Sequence, residues 1–80
     1  GAELLGEKKY DVVIANINRN ILLEDIPTYS RCLEKGGQLY LSGFYEADIP
    51  AIQEKCLQQG LELSSQLERE EWVALQLTKV

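Results

Sequence analysis

Histidine is absent from this 80-residue sequence, and cysteine and proline each occur only twice. Cys32 and Cys56 fall on separate predicted helices and form no Cys-x-x-Cys pair, so the sequence lacks the ligands of a zinc site. We therefore expect no metal site. The two cysteines are predicted to be buried or half-buried free thiols rather than redox or metal-binding groups.

Basic residues and long apolar runs are also scarce. Eight lysines and arginines against thirteen acidic residues give a net charge of -5, and the basic residues are scattered, whereas nucleic-acid binding relies on clustered ones. No apolar run approaches the roughly 20 residues of a membrane-spanning helix, and residues 1–7 have no signal-like stretch. We expect a cytoplasmic protein without a membrane segment or direct nucleic-acid contacts.

The composition that remains is typical of a small globular domain. Hydrophobic residues make up 45% of the chain and charged residues 26%, which is far from the composition of a disordered segment. A chain of this length buries only about 60% of the surface that its unfolded form exposes. We therefore expect residues 1–80 to form a single domain with one modest core.

Amide side chains follow directly after an unbroken apolar segment. Residues 10–15 (Tyr-Asp-Val-Val-Ile-Ala) are typical of a strand covered on both faces of a parallel sheet. Asn16, Asn18 and Asn20 come next, at the end of the strand where open parallel sheets bind ligands. Asn18 and Asn20 are better explained as helix caps. Arg19 is better explained as a solvated side chain, with a contact to an acidic group as the alternative, so Asn16 stands out as the candidate site residue.

The first predicted helix begins at Asn18 or Asn20 and ends at Gly36-Gly37, which supply a left-handed stop. Pro27 lies inside it, and we expect either a kink there or a main helical body that begins near Ile26. The apolar residues at helical spacing are Ile21, Leu22, Ile26, Tyr29 and Leu33.

A second strand, residues 38–42, is predicted to end at Gly43, where a backbone turn or a close approach by another group is tolerated. The second helix follows, with Asp48 as its cap, Pro50 in its first turn and Gly60 at its end. Its apolar stripe consists of Ile49, Ile52, Cys56 and Leu57.

The last part of the chain changes to the alternation of strands. Residues 61–68 alternate apolar and polar side chains, residues 70–71 form a turn, and residues 72–77 make a more apolar strand that we expect to hold Trp72 in the core or half-buried. The predicted fold is α/β, with element order β-α-β-α-β-β. Because the last strand is the more apolar of the hairpin, the predicted spatial strand order is 1-2-4-3, with two parallel strands and a C-terminal antiparallel hairpin.

Three segments carry a family resemblance: residues 10–17 (Tyr-Asp-Val-Val-Ile-Ala-Asn-Ile), 36–43 (Gly-Gly-Gln-Leu-Tyr-Leu-Ser-Gly) and 70–75 (Glu-Glu-Trp-Val-Ala-Leu). Their order and spacing resemble the C-terminal half of class I S-adenosylmethionine-dependent methyltransferases. Within that class they are similar to the lysine methyltransferases that modify the stalk-base protein of the large ribosomal subunit. The resemblance implies a partial Rossmann-like methyltransferase sheet and a ribosomal protein as substrate.

The resemblance also implies roles for individual residues. Asn16 would occupy the position of the acidic or amide residue that opens the motif after the fourth strand, where it would act in catalysis and contact the cofactor together with Ile17. Phe44 and Tyr45 would line the approach of the substrate. Many amino methyltransferases continue with Pro-Pro and an aromatic residue, whereas Ile17 here is followed by Asn18 and Arg19, so the aromatic wall of that motif has no equivalent.

The glycine-rich turn and the ribose-binding carboxylate that hold S-adenosylmethionine in such enzymes have no counterpart in the sequence. We therefore interpret the chain as the C-terminal half of a catalytic domain, inactive by itself, whose first strand is left as an open edge prone to self-association. Two alternatives stay open: a self-contained α/β binding module without catalysis, and a methyltransferase that acts on another protein or on RNA.

Overall fold

The computed structural model describes residues 8–70 and 72–80. Its element order is β-α-β-α-β-β, as predicted. The elements are β1 (Tyr10–Asn16), α1 (Arg19–Cys32), β2 (Leu33–Ser42), a turn of 3-10 helix (Glu46–Asp48), α2 (Ile49–Gln58), β3 (Leu61–Arg69) and β4 (Trp72–Lys79). None of the helices in these ranges has the length and apolar character that crossing a membrane requires.

The four strands form one sheet in the order β1-β2-β4-β3. β1 and β2 are parallel, and β4 is antiparallel to both β2 and β3, so the predicted topology is confirmed. β4 takes the inner position because Val73, Leu75 and Leu77 are all buried, whereas the residues of β3 after Leu63 are exposed. Apolar content therefore decides which strand of the hairpin lies inside the sheet.

Both helices pack on one face of the sheet. Leu22 and Ile26 of α1 and Ile52 of α2 are 0% exposed and belong to the same apolar cluster as Leu39 and Leu77 of the sheet. Cys32 and Cys56 are buried, as predicted, and neither forms a disulfide bond within the described residues. Burial raises the pKa of the Cys56 thiol to about 12, because the thiolate is poorly solvated in the core.

The opposite face of the sheet carries exposed apolar side chains. Val12, Ile14, Tyr40, Leu67 and Trp72 are 38–76% exposed, and we call these residues the open face. Strand alternation places them there, since Val13 and Ala15 of β1 point into the core and their neighbours point away. Trp72 is thus half-exposed on this face and does not lie in the core. β1 pairs only with β2 within the described chain, so its other edge is open.

The end of α1 differs from the prediction. The helix stops at Cys32, and Leu33 begins β2, so Gly36-Gly37 do not end the helix. Gly36 has a φ of +86°, and it lies in β2 where the pairing with β1 shifts between Tyr10↔Leu33 and Val12↔Gln38. Pairing with β1 thus replaces the last predicted helical turn, and the left-handed glycine accommodates an irregularity in the strand.

The two helices differ from the prediction in smaller ways as well. α1 runs without interruption from Arg19 to Cys32 with Pro27 inside it, so its body does not begin at Ile26. Ile21 is 42% exposed and Leu57 61% exposed, because each lies at the margin of the apolar stripe of its helix. Pro50 lies in the first turn of α2, as predicted.

Candidate functional site

The carboxyl ends of β1 and β2 meet at one edge of the sheet. Asn16 and Ser42 are partners in the parallel ladder, and the Ile17 amide donates a hydrogen bond of 3.2 Å to the Ser42 carbonyl. The two segments that follow these strands are therefore joined by backbone where they leave the sheet. In open parallel sheets this is the edge at which ligands bind.

Asn18 is the N-cap of α1. Its backbone is extended, and its Oδ1 accepts a hydrogen bond of 3.1 Å from the Ile21 amide, which satisfies one of the free donors of the first turn. Asn20 is not a cap, because it lies inside the helix, where its Oδ1 accepts a hydrogen bond from Arg19 Nη2 at 3.3 Å. Of the two predicted caps, Asn18 is confirmed.

The Asn16 side chain lies against Gly43. Gly43 has a φ of +91°, and a Cβ atom placed on it would come well under 3.0 Å from Asn16 Oδ1. Asn16 itself is exposed, while Ile17 is partly buried against the core cluster. The close approach predicted at Gly43 is confirmed, and the group that approaches is the candidate site residue.

The segment after β2 is held by Asp48. Asp48 Oδ2 accepts a hydrogen bond of 3.0 Å from the Tyr45 amide, and Asp48 Oδ1 lies 3.7 Å from Arg19 Nη1. Of the two interpretations of Arg19, the structure shows the contact with an acidic group, because the guanidinium pairs with this carboxylate across the two segments while the side chain stays half-exposed. Asp48 makes no side-chain cap on α2, because the turn of 3-10 helix before α2 takes up its carboxylate.

Phe44 and Tyr45 point in different directions. Phe44 is 5% exposed and belongs to the hydrophobic core, whereas Tyr45 is 75% exposed. Both line a cavity of about 310 Å³ at the carboxyl edge. Its other lining residues are Asn18, Arg19, Asn20, Gly43 and Asp48.

One acidic residue and one missing sequence motif bear on whether this cavity could hold S-adenosylmethionine. The acidic residue, Asp48, accepts a hydrogen bond from the Tyr45 amide and lies beside Arg19, and its two oxygens can accept further hydrogen bonds. The sequence lacks a glycine-rich turn that would admit the rest of the cofactor. Residues 8–70 and 72–80 contain no group of three or more potential ligands placed to hold a metal ion.

The fold is that of the methyltransferases. The structure superposes on the ribosomal protein L11 methylase of Lactobacillus delbrueckii subsp. bulgaricus with a TM-score of 0.86 and 26% identity, covering 92% of this chain and 38% of that one. A methyltransferase of Pyrococcus furiosus shares the fold, with a TM-score of 0.73, 18% identity and coverage of 91% and 42%. A parallel strand pair continued by a reversed hairpin is thus the methyltransferase arrangement.

The chain belongs to the family of ribosomal protein L11 methyltransferases (PrmA), whose sequence profile matches residues 1–80. The ribosomal protein L11 methyltransferase of Phocaeicola vulgatus is 49% identical to it over 72 residues, which are 90% of this chain and 26% of that protein. The chain therefore spans about a quarter of the length of the curated relatives it matches.

Proposed function

We propose that this chain is the C-terminal part of the catalytic domain of an S-adenosylmethionine-dependent methyltransferase. Its substrate would be ribosomal protein L11, methylated on lysine or other amino groups in the cytoplasm. The observation that carries the proposal is the placement of Asn16, an exposed amide at the carboxyl end of a parallel strand, in a chain of this family. The names of the relatives support the substrate.

Asn16 would orient the acceptor amine. S-adenosylmethionine, when bound in the intact protein, supplies an electrophilic methyl group, and the acceptor nitrogen must be neutral with its lone pair directed at that methyl. A carboxamide oxygen accepts a hydrogen bond from such an amine without acting as a strong base. Positioning of the reactants as a whole is worth about 7 to 11 kcal/mol in ideal cases, and the Asn16 amide would contribute part of this effect.

The neighbouring residues would shape the surroundings of that amide. Ile17, partly buried against the core, would form an apolar wall on the cofactor side. Tyr45 projects into solvent beside the cavity and would contact the arriving substrate. Phe44 is packed in the core, so its contribution to the substrate approach would be to fix the backbone from which Tyr45 projects.

The open face and the free edge of β1 support a larger catalytic domain. Strands of a parallel sheet are normally covered on both faces, yet Val12 and Ile14 of β1 are 49% and 76% exposed. The relative from Phocaeicola vulgatus is about three and a half times as long as this chain, which is enough to supply a neighbouring strand, covering helices and the cofactor-binding turn. By itself, the 80-residue chain would neither bind the cofactor nor transfer a methyl group.

The proposal is tested in the full-length methyltransferase that contains this sequence. Asn16→Ala is expected to lower kcat for L11 methylation about 100-fold, while the dissociation constant of S-adenosylmethionine, measured by calorimetry, changes less than about threefold. Gln58→Ala is the matched control, because it removes an exposed amide at the last residue of α2, away from the carboxyl edge of the sheet, and should leave kcat unchanged. An Asn16→Ala enzyme with near-normal kcat would remove Asn16 from the mechanism.

A second measurement tests whether the 80-residue chain by itself binds S-adenosylmethionine. Calorimetry of the 80-residue chain with S-adenosylmethionine is expected to show no binding, because the described residues lack a cradle for the cofactor. Micromolar affinity would contradict this part of the proposal and would leave the role of Asn16 unaffected.

A further inference from the structure

Gly43 meets two separate structural demands. Its φ of +91° lies in the left-handed region that side chains other than glycine rarely adopt. In addition, a Cβ atom at this position would lie 2.9 Å from the Ile17 nitrogen, 3.0 Å from the Ile17 carbonyl oxygen and closer still to Asn16 Oδ1. The second demand comes from the segment after β1, not from the turn that Gly43 makes.

Comparison with Gly36 distinguishes the demand of the backbone conformation from the demand of the close contact. Its φ of +86° is almost the same, yet a Cβ atom there would meet nothing within 4 Å. A left-handed backbone alone therefore does not crowd a glycine in this chain, and asparagine, which tolerates that conformation, would satisfy the backbone at position 43 but not the space. The close contact at Gly43 is specific to the Asn16 carboxamide and the backbone beside it.

The two positions are also held in fixed relation. Asn16 is the ladder partner of Ser42, the residue before Gly43, and the hydrogen bond from the Ile17 amide to the Ser42 carbonyl joins the two segments. Moving the loop alone could not relieve the clash that a side chain at position 43 would make, since that movement would break this hydrogen bond. The Asn16 carboxamide would have to rotate away, and the Ile17 backbone, 2.9 to 3.0 Å from the added Cβ atom, would have to shift slightly as well.

We propose that Gly43 is a positioning residue for methyl transfer: by having no side chain, it lets the Asn16 carboxamide lie over the end of β2, and a side chain at this position would change the direction of the carboxamide oxygen. The inference rests on the proposed function, since it assigns Gly43 a role through Asn16. It also makes a structural claim, that the Asn16 side chain and position 43 share one space, which can be tested without activity.

The kinetic test compares Gly43→Ala with Gly36→Ala in the full-length methyltransferase. Both variants place a methyl group on a left-handed backbone, but only the first displaces the Asn16 amide. We expect Gly43→Ala to lower kcat at least tenfold with KM for S-adenosylmethionine within about threefold of normal, and Gly36→Ala to keep normal kcat. Equal kcat values for the two variants would overturn the proposal.

A double variant distinguishes failure of this inference from failure of the proposed function. Gly43→Ala should lower Tm less in an Asn16→Ala background than in the unaltered protein, because the carboxamide that it crowds is gone. If Gly43→Ala lowers Tm equally in both backgrounds, the claim that the Asn16 side chain and position 43 share one space is refuted, whatever the kinetics show. If the coupling is present but Asn16→Ala has normal kcat, the positioning claim stands and the proposed function fails.

Asn16→Gln provides a test that does not depend on how well Gly43→Ala folds. It keeps the amide and the glycine but moves the amide outward by one carbon. The expected result is a loss of kcat comparable to that of Gly43→Ala, again with little change in cofactor affinity. A fully active Asn16→Gln enzyme would show that the position of the amide is unimportant and would overturn the proposal.

Discussion

Ile14 is the most exposed apolar side chain of the open face, at 76%, and it lies on the edge strand β1. In the isolated 80-residue chain we expect this face and edge to drive self-association, because an unpaired strand edge beside apolar surface is a template for another chain. Ile14→Lys is expected to shift the chain towards the monomer, since a charged side chain on an edge strand opposes pairing.

The size of the effect follows from the exposure of Ile14. Full burial of an isoleucine is worth about 1.5 to 3 kcal/mol, so the three-quarters of this side chain open to a partner corresponds to about 1 to 2 kcal/mol per copy. A symmetric dimer buries two copies and loses about 2 to 4 kcal/mol, which raises its dissociation constant about 30- to 1,000-fold. The fold itself should lose no more than about 1 kcal/mol, the span of strand propensities.

Sedimentation velocity over a hundredfold range of chain concentration measures this change. Leu57→Lys is the matched control, because Leu57 is 61% exposed but lies on α2, on the other side of the sheet. The reasoning is refuted if the unaltered chain is monomeric throughout, if Ile14→Lys leaves the dissociation constant unchanged, or if Leu57→Lys weakens association equally.

Three further predictions concern stability, each measured by urea unfolding. Asn18→Ala should cost about 1 kcal/mol through loss of the cap on α1, with Asn20→Ala costing less than half as much; equal losses would argue against the cap. The neutral Cys56 thiol is favoured in the fold, so its contribution is complete below pH 9.0 and is lost as pH rises towards about 12; by pH 10.5 the loss should be about 2 kcal/mol greater than in Cys56→Ala, which keeps the loss due to Tyr29, whose pKa is also raised by burial. Ser30 Oγ donates to the Gln59 carbonyl at 2.6 Å and accepts from Lys79 Nζ at 2.6 Å, and Ser30→Ala should cost about 1 to 3 kcal/mol by removing both bonds at this partly buried position; no change would mean that water replaces the hydroxyl.

The strands of the sheet and their order could be predicted from the sequence because the apolar pattern of each strand is a local feature. The alternation in β3, the richer apolar pattern of β4 and the unbroken apolar run of β1 each identify a strand and its place. The end of α1 could not be predicted in this way. Gly36-Gly37 are typical of a helix stop, but Leu33 is already paired with Tyr10, and that tertiary pairing overrides a local signal.

The candidate site likewise has one feature that could be predicted from local sequence and others that depend on tertiary structure. Asn16 could be singled out because its position depends only on where an apolar run ends. Its relation to Gly43 depends on the register of two strands that are distant in the sequence, and the ion pair of Arg19 with Asp48 depends on the turn of 3-10 helix before α2. Sequence reasoning can place residues at an edge, whereas their contacts across that edge require the register.

The insertion of β4 between β2 and β3 constrains the order in which the domain can assemble. β3 has no sheet partner other than β4 within the described chain, so it cannot join the sheet when it is synthesised. One edge of β2 must stay unpaired until the residues up to Lys79 have been added, and the helices can meanwhile pack only on an unfinished sheet. The hairpin is thus expected to dock last and as a unit, and truncation within β4 would release both strands at once.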